Sequence, residues 1–408
     1  MRSARLSRVF SRPGKSDGQK AKIAFFILRS KEEATQLTGG TLSNLALLTN
    51  LPDHEVLVVL NAHDILAEEL SRRGVRFVVL EESELSWRHV RRDLRTMVTR
   101  GAKALWFNAR IGALCAREGV SVLQCDEMAT LFVGPGAKLA GRKLVVAYRN
   151  HPGIVPVMRA LYKVPTLLAD RIVATSELLR EAVVSQGWRR PGERTSRIYN
   201  GIDVARVKAS MAARDRAADR GSLGIAEGEV AIGVIGSIVG FKLQVELLEQ
   251  VIAPHAEELR AAKARFHFLG GVKNQEYADR CAQLVGDLGL ADVTAWPGYV
   301  SDMAPWYSAL DLVAFPAPEG TARTLLEAAA HGIPSVARQT SKEAVLDGEN
   351  GFTCAELVDL AGPILRLAND AGLRARMGER GRALAASRFD IHRNREAYSA
   401  IYEALIGR

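Results

Sequence analysis

The sequence predicts an α/β protein made of two doubly wound halves, each built on a parallel sheet. Three observations lead to that expectation. Short, unbroken apolar runs recur along the chain, helical stretches separate them, and one segment near the middle breaks the rhythm. Unbroken apolar runs, rather than alternation, suit parallel strands covered on both faces. With 408 residues, 48% hydrophobic and 25% charged, the chain has material for two ordinary cores. The same composition excludes a mainly disordered, collagen-like or coiled-coil protein.

The elements follow in order. Residues 1–20 (MRSARLSRVFSRPGKSDGQK) carry six basic residues and a single acid, Asp17. They read as a disordered basic arm, although an organellar transit peptide has the same Arg- and Ser-rich character. A first strand is expected at 22–28 (KIAFFIL), then Gly39-Gly40, and then a helix marked by Leu42, Leu45, Ala46 and Leu48. The second strand, 55–60 (EVLVVL), closes a strand–helix–strand unit. Further strands at 75–80, 120–123, 144–147 and 171–174 complete an amino-terminal Rossmann-like domain, residues 21–206. Between the third and fourth strands, Trp87, Val90, Leu94, Met97 and Val98 share one helical face, and Arg88, Arg91, Arg92 and Arg95 cover another. Such a helix either lies on an anionic bilayer or packs on a core with a solvated basic face.

Residues 207–228, rich in Ala, Arg and Asp, read as a linker. A second series of strands follows at 230–235, 265–269, 293–296, 312–315 and 335–337. It defines a carboxyl-terminal Rossmann-like domain, residues 229–408, whose last helix is free to cross back to the first domain. Two such halves face each other across a cleft at the carboxyl ends of their strands.

Charge and cysteine content narrow the setting. The net charge of +9 is uneven: residues 1–200 hold 32 Lys and Arg against 19 Asp and Glu, and the remainder 23 against 27. A basic half suits an anionic partner such as a membrane surface, nucleic acid or a phosphorylated substrate. Cys115, Cys125, Cys281 and Cys354 lie far apart with no CxxC pair, which argues against a disulfide framework or a structural zinc site and for a reducing cytoplasm. No cluster of metal ligands is evident. No apolar run approaches the roughly 18 residues of a membrane span.

The segment from Asp311 to Ala337 (DLVAFPAPEGTARTLLEAAAHGIPSVA) carries the strongest chemical signal. A buried strand enters a Pro-rich turn, Glu319-Gly320 follows, and a helix then runs to His331-Gly332. Glu319 falls in the loop at the strand's carboxyl end, and Glu327 one or two turns into the helix. The amides of Gly320, Thr321, Ala322 and Arg323 would open that helix toward the cleft, where its dipole favours a phosphate or sugar oxygen. The flanking carboxylates can accept hydrogen bonds from hydroxyls. A second loop, AIGVIGSIVGFK, places Gly236, Ser237 and Lys242 after a strand in a spacing that is not a dinucleotide fingerprint.

These segments together resemble glycosyltransferase family 4, whose members have the GT-B fold and transfer sugars from nucleotide donors with retention. The resemblance rests on EGTARTLLE followed by AAAHGIPSVA, on Glu343 in KEAVLDGENGF, and on the Gly39-Gly40 loop. It rests also on the Tyr199-Asn200-Gly201-Ile202-Asp203 turn, the strand end Trp296-Pro297-Gly298-Tyr299-Val300, and the loop from Gly236 to Lys242. It implies that Glu327 binds the ribose hydroxyls, that Glu319 faces the donor sugar, and that Lys242 meets the pyrophosphate. It implies also that Gly298 lies at the donor site, and that Gly39-Gly40 lies against the diphosphate or the acceptor. His151, in YRNHPGI, resembles the family histidine near the transferred sugar; on composition alone such a residue is more often a loop histidine hydrogen-bonded to backbone. Asp126 and Glu127 end another strand at the cleft, where relatives often carry a histidine.

Two positions depart from the family pattern. Ala322 stands where many members have glycine, and Ser237 stands where they have arginine. Arg323 is a second candidate for the phosphate.

The implied activity is a retaining transfer to a glycan, polysaccharide or lipid-linked acceptor, as in lipopolysaccharide assembly. No cofactor or essential metal is implied, and no nucleic acid partner. The setting is cytoplasmic, with peripheral docking on the inner face of an anionic membrane. A sugar-nucleotide epimerase on the same fold and a non-catalytic sugar-nucleotide-binding subunit are the alternatives.

Overall fold

Apolar runs without alternation need cover on both faces, and helices supply it in each half of the chain. The computed structural model describes residues 20–30, 34–82, 94–149 and 156–407, without the side chains of 94–100 and 156–159. The basic arm, His151 and the arginine-rich stretch 83–93 lie outside the described residues.

The first sheet has the order β3-β2-β1-β4-β5-β6-β7, all parallel. Its strands are β1 (Lys22–Ile27), β2 (Glu55–Leu60), β3 (Phe77–Val79), β4 (Val122–Asp126), β5 (Lys143–Tyr148), β6 (Arg171–Ala174) and β7 (Thr195–Arg197). The connecting helices are α1 (Gly39–Leu48), α2 (Ile65–Arg72), α3 (Leu94–Arg117), α4 (Thr130–Leu139), α5 (Pro156–Leu168) and α6 (Glu177–Gln186). Phe26, Leu123 and Val146 bury one sheet face against Phe107 and Phe132, while Phe25, Val58 and Val145 bury the other against Leu45 and Leu66.

The segment expected as a linker is folded. It holds α8 (Arg216–Ser222) and most of α7 (Val204–Ala212), and α8 is tied to the second half. Arg216 and Arg220 both reach Asp311, at 2.9 and 3.1 Å, and Ile225 enters the neighbouring core. An Ala- and Arg-rich stretch is a good helix former, and a half-buried acid gives it a place to dock.

The second sheet, ordered β10-β9-β8-β11-β12-β13, contains β8 (Val230–Ile235), β9 (Ala264–Leu269), β10 (Thr294–Gly298), β11 (Leu312–Phe315), β12 (Ser335–Arg338) and β13 (Gly351–Cys354). Its helices are α9 (Gln244–Leu247), α10 (Ala256–Ala261), α11 (Gln275–Asp287), α12 (Ala304–Ala309), α13 (Arg323–His331), α14 (Ala361–Asn369), α15 (Ala371–Leu384) and α16 (Ile391–Ile406). Tyr398, Ile401 and Tyr402 of α16 pack in the core of the first sheet, not the second. There the Tyr402 hydroxyl donates to Gln124 Oε1, which explains how a polar residue sits inside β4. The edge strands β7 and β13 had no apolar run to announce them. Each forms because one neighbour offers a ladder, with Arg197 paired to Ala174 and Cys354 to Arg338.

The chain passes between the halves twice, side by side. Ile202 N donates to Phe389 O at 2.8 Å and Ile391 N to Ile202 O at 2.9 Å.

Candidate functional site

Parallel strands deliver their carboxyl ends to one edge of a sheet, so loops distant in sequence become neighbours there. In the second sheet four adjacent strands do this. Gly236 and Ser237 follow β8, Gly270-Gly271 follow β9, Gly298 ends β10, and Glu319 lies in the loop after β11. The predicted donor-site residues of this half therefore share one edge.

The cations and carboxylates of that edge are paired. Lys242 Nζ lies 2.7 Å from Glu319 Oε1 and 2.9 Å from Oε2. Its ammonium also sits 5.3 Å from the Phe315 ring centroid, near enough for a cation–π contribution. Arg323 Nε donates to Glu327 Oε1 at 2.7 Å, one helical turn along α13. The other oxygen of Glu327 accepts from the Tyr307 hydroxyl at 2.8 Å. Burial, then the charge of Glu327, pushes the Tyr307 phenol far above its ordinary range, so it serves as a fixed donor. Tyr307 stacks on His331 at 4.3 Å, and burial holds that imidazole below its ordinary value.

The helix beginning at Arg323 is uncapped. Its N-cap position is Ala322, which offers no side-chain acceptor to the first turn. The methyl at 322 is tolerated because φ is −61° and ψ 137°, a backbone that any residue adopts. The departure from glycine there thus leaves the helix entrance unchanged. Gly320 is different: a Cβ there would come within 2.9 Å of Ser176 Oγ, so glycine lets this loop press on the end of β6. Beside it, the buried Thr321 donates its hydroxyl to Thr175 O.

On the facing side, α1 starts at Gly39 behind an N-cap by Thr38, and a Cβ on Gly39 would lie 3.8 Å from Arg323 Cβ. The amino ends of α1 and α13 therefore meet across the cleft. Arg149, which follows β5, ties this region together. It donates to Asp126 Oδ1 at 2.9 Å, Asn44 Oδ1 at 2.7 Å and Asn200 Oδ1 at 2.5 Å, and its amide to Glu127 Oε2 at 3.1 Å. Burial opposes its charge, but the neighbouring Asp126 outweighs that and raises the guanidinium above its usual value. Glu343 joins the halves further out, accepting from the Tyr199 hydroxyl at 2.6 Å and the Glu177 amide at 2.7 Å. Burial, then the bond to Glu343, raises the Tyr199 phenol to about 12.

Lys242, Glu319, Arg323 and Glu327 are thus gathered by direct contacts, with Gly39 and Gly320 to Ala322 beside them. Gly40 faces Arg149, a Cβ there lying 3.8 Å from Arg149 Cδ. Gly298 sits two strands away from β8 with φ +80°, past the exposed Trp296 stacked 3.9 Å from Phe268. Ser237 is half-buried, its carbonyl held by Gln244 Nε2 at 2.9 Å. Sequence reasoning missed Arg149, Tyr307 and the pair Gly270-Gly271. A Cβ on Gly271 would come 2.3 Å from Gln36 Nε2 of the opposite half. That pair was findable, since it repeats the strand-then-Gly-Gly pattern of Gly39-Gly40. Tyr307 and Arg149 carry no such local mark. Among the described residues, no group of three or more His, Cys, Asp or Glu could hold a metal ion.

A family described as "Glycosyltransferase Family 4" matches residues 63–206, and "Glycosyl transferases group 1" matches 229–370. A D-inositol 3-phosphate glycosyltransferase of Nocardia farcinica is 32% identical over 231 residues, covering 53% of this chain and 49% of that protein. The lipopolysaccharide core biosynthesis mannosyltransferase LpsB of Rhizobium meliloti is 27% identical over 224 residues, 51% of this chain and 60% of LpsB. The chain thus matches about half to three-fifths of the length of these relatives. Among solved structures, Anabaena HepE in complex with UDP and glucose superposes with a TM-score of 0.77 at 21% identity, covering 94% of this chain and all of that one. WaaG, involved in lipopolysaccharide biosynthesis, superposes with a TM-score of 0.64 at 14% identity, covering 95% of this chain and 100% of WaaG. These likenesses establish the fold as GT-B.

Proposed function

Because the chain belongs to the group 1 glycosyltransferases, with a family 4 amino-terminal half, we propose that it transfers a sugar from a nucleoside-diphosphate sugar to a glycan, polysaccharide or lipid-linked hydroxyl, with retention. One observation carries the reading: two cations, two carboxylates and an uncapped helix start meet at one strand edge. A diphosphate suits the cations and the α13 amides, since both favour negative charge. Bound there, it would draw Lys242 from Glu319 and Arg323 from Glu327. Glu319 would then face the sugar, and Glu327 would accept hydrogen bonds from the ribose hydroxyls.

Catalysis on this reading is mainly support for charge developing on the leaving diphosphate, from groups already in place. The acceptor hydroxyl attacks on the face the diphosphate leaves, the sugar–phosphate C–O bond breaking as the hydroxyl proton passes to the departing phosphate oxygen, so no covalent intermediate on Glu319 is needed. Lys242, Arg323 and the α13 dipole meet the leaving charge, without calling on a metal held by the protein. The likeness to a protein crystallised with UDP and glucose makes UDP-sugars the first donors to try.

The test is incubation with UDP- and GDP-sugars plus mixed glycan and lipid-linked acceptors. Transfer with retained configuration is expected; an epimerised donor, or binding without turnover, would replace this reading. Glu327→Ala should weaken donor binding about 10- to 150-fold, the worth of a hydrogen bond to a charged group. Glu319→Ala should lower turnover more than affinity. Wild-type behaviour in both variants would remove these roles.

A further inference from the structure

We propose that the amino ends of β5, β6 and β7 form a docking surface for an anionic phospholipid bilayer. Three segments meet there: residues 138–143, 163–171 and 187–194. Together they hold eight Lys or Arg against two Asp or Glu, a net of +6 out of +9 for the whole chain. An ion pair and hydrogen bonds link them. Lys138 Nζ reaches Asp170 at 2.9 Å, which joins the first segment to the second. Trp188 N donates to Thr166 Oγ1 at 2.9 Å, and Arg189 Nη1 to Leu167 O at 3.1 Å, which joins the second to the third. Arg194 reaches Ala169 O at 2.5 Å and holds the turn beneath them. Asp170 pairs with Lys138, and Glu193 lies 3.8 Å from Arg190, so two acids face eight cations across the three segments.

Apolar tips stand among these charges. Leu139 is 90% exposed at the end of α4, Leu167 41% at the end of α5, and Trp188 43% just beyond α6. Lys163 Nζ lies 6.0 Å from the Trp188 ring centroid. Arg189 and Arg190 both take left-handed backbone, at φ 61° and 47°. Two consecutive arginines in that region are strained, and the turn they make leaves Trp188, Arg189 and Arg190 exposed.

The mixture selects the partner. Arginine and lysine would suit any polyanion, but exposed leucines gain nothing from phosphates or from a folded acidic protein's solvated surface. Hydrocarbon beneath anionic headgroups satisfies both, with tryptophan at the boundary. The cleft lies at the opposite ends of the same strands, so it stays open to water while this edge is docked. The surface is separate from the donor site and does not depend on the donor chemistry.

The test is flotation of the full chain with phosphatidylcholine vesicles with and without 30% phosphatidylglycerol (on the order of membrane anionic content), at low and high salt. Binding to the anionic vesicles alone is expected, weakening with salt. Arg189→Asn with Arg190→Asn, which suits the left-handed turn, should weaken it by about 30-fold. Leu139→Ser with Trp188→Ser should weaken it at unchanged salt dependence. Thermal unfolding and turnover on a soluble acceptor should match wild type in both pairs, showing intact folds. Quenching of tryptophan emission by brominated lipid should drop in the Trp188→Ser pair. The proposal is overturned by failure to bind anionic vesicles at low salt, or by wild-type binding in both pairs, which would assign docking to another basic segment. It is equally overturned if only the arginine pair matters and heparin binds as tightly, which would make the partner a soluble polyanion.

Discussion

Both cations of the proposed donor site are held by carboxylates, Lys242 by Glu319 and Arg323 by Glu327, each at 2.7 Å. On the proposed function a diphosphate would compete with two glutamates, bringing more charge and more acceptor oxygens. Lys242 is the residue with most to contribute, since Ser237 leaves the β8 loop without a guanidinium. Lys242→Ala is expected to weaken binding of the best nucleoside diphosphate by about 30- to 150-fold, the equivalent of roughly 2–3 kcal/mol. Ser237→Arg should strengthen it, because arginine grips phosphate through two parallel hydrogen bonds. Calorimetry of the three proteins checks both, and wild-type affinity in Lys242→Ala would move the phosphate elsewhere.

Among the elements, α4 shows how a helix survives a proline. Pro135 has no N–H for Leu131 O, and Asn108 of α3 supplies one instead, its Nδ2 lying 3.3 Å from that carbonyl. Asn108 Oδ1 accepts from Gly136 N at 2.9 Å, so one side chain mends both ends of the break. The arrangement needs α3 and α4 almost in backbone contact: a Cβ on Gly136 would fall 1.9 Å from Asn108 O. No rotamer relieves a clash with backbone. Gly136→Ala should therefore cost about 3 kcal/mol and lower the thermal midpoint by about 5–10 °C. Differential scanning calorimetry would show this, and an unchanged midpoint would mean that α3 and α4 do not cross this closely.

At the scale of the whole molecule, α16 packed on the first sheet and the paired crossings at Ile202 and Ile391 join the halves, and polar contacts add to them. Glu343 is the most connected, with the Tyr199 hydroxyl and the Glu177 amide on its two oxygens and Arg197 at 3.5 Å. Glu343→Ala would leave two donors without their acceptor, a loss of about 1–3 kcal/mol. The expected result is a larger radius of gyration in small-angle scattering, recovered in part by a nucleoside diphosphate. Tyr199→Phe, which removes one donor only, should show less of it. Identical scattering curves for Glu343→Ala and wild type would show that the crossings alone set the arrangement.

The sequence by itself determined the doubly wound alternation, because apolar runs of strand length, glycine after strands and helical spacing are local signals. It also marked Glu319 and Glu327, whose spacing is set by one loop and one helical turn, and the loop ending at Lys242. What it left open depends on residues far apart in the chain. Lys242 and Glu319 are 77 positions apart, and Arg149 meets Asn44 across 105. The docking of α8 on Asp311, the seat of α16 on the first sheet and the +6 surface each join separate segments. Tertiary structure decided these because burial and side-chain hydrogen bonds are satisfied by whichever groups the packed fold brings within reach, and no local periodicity records that partnership.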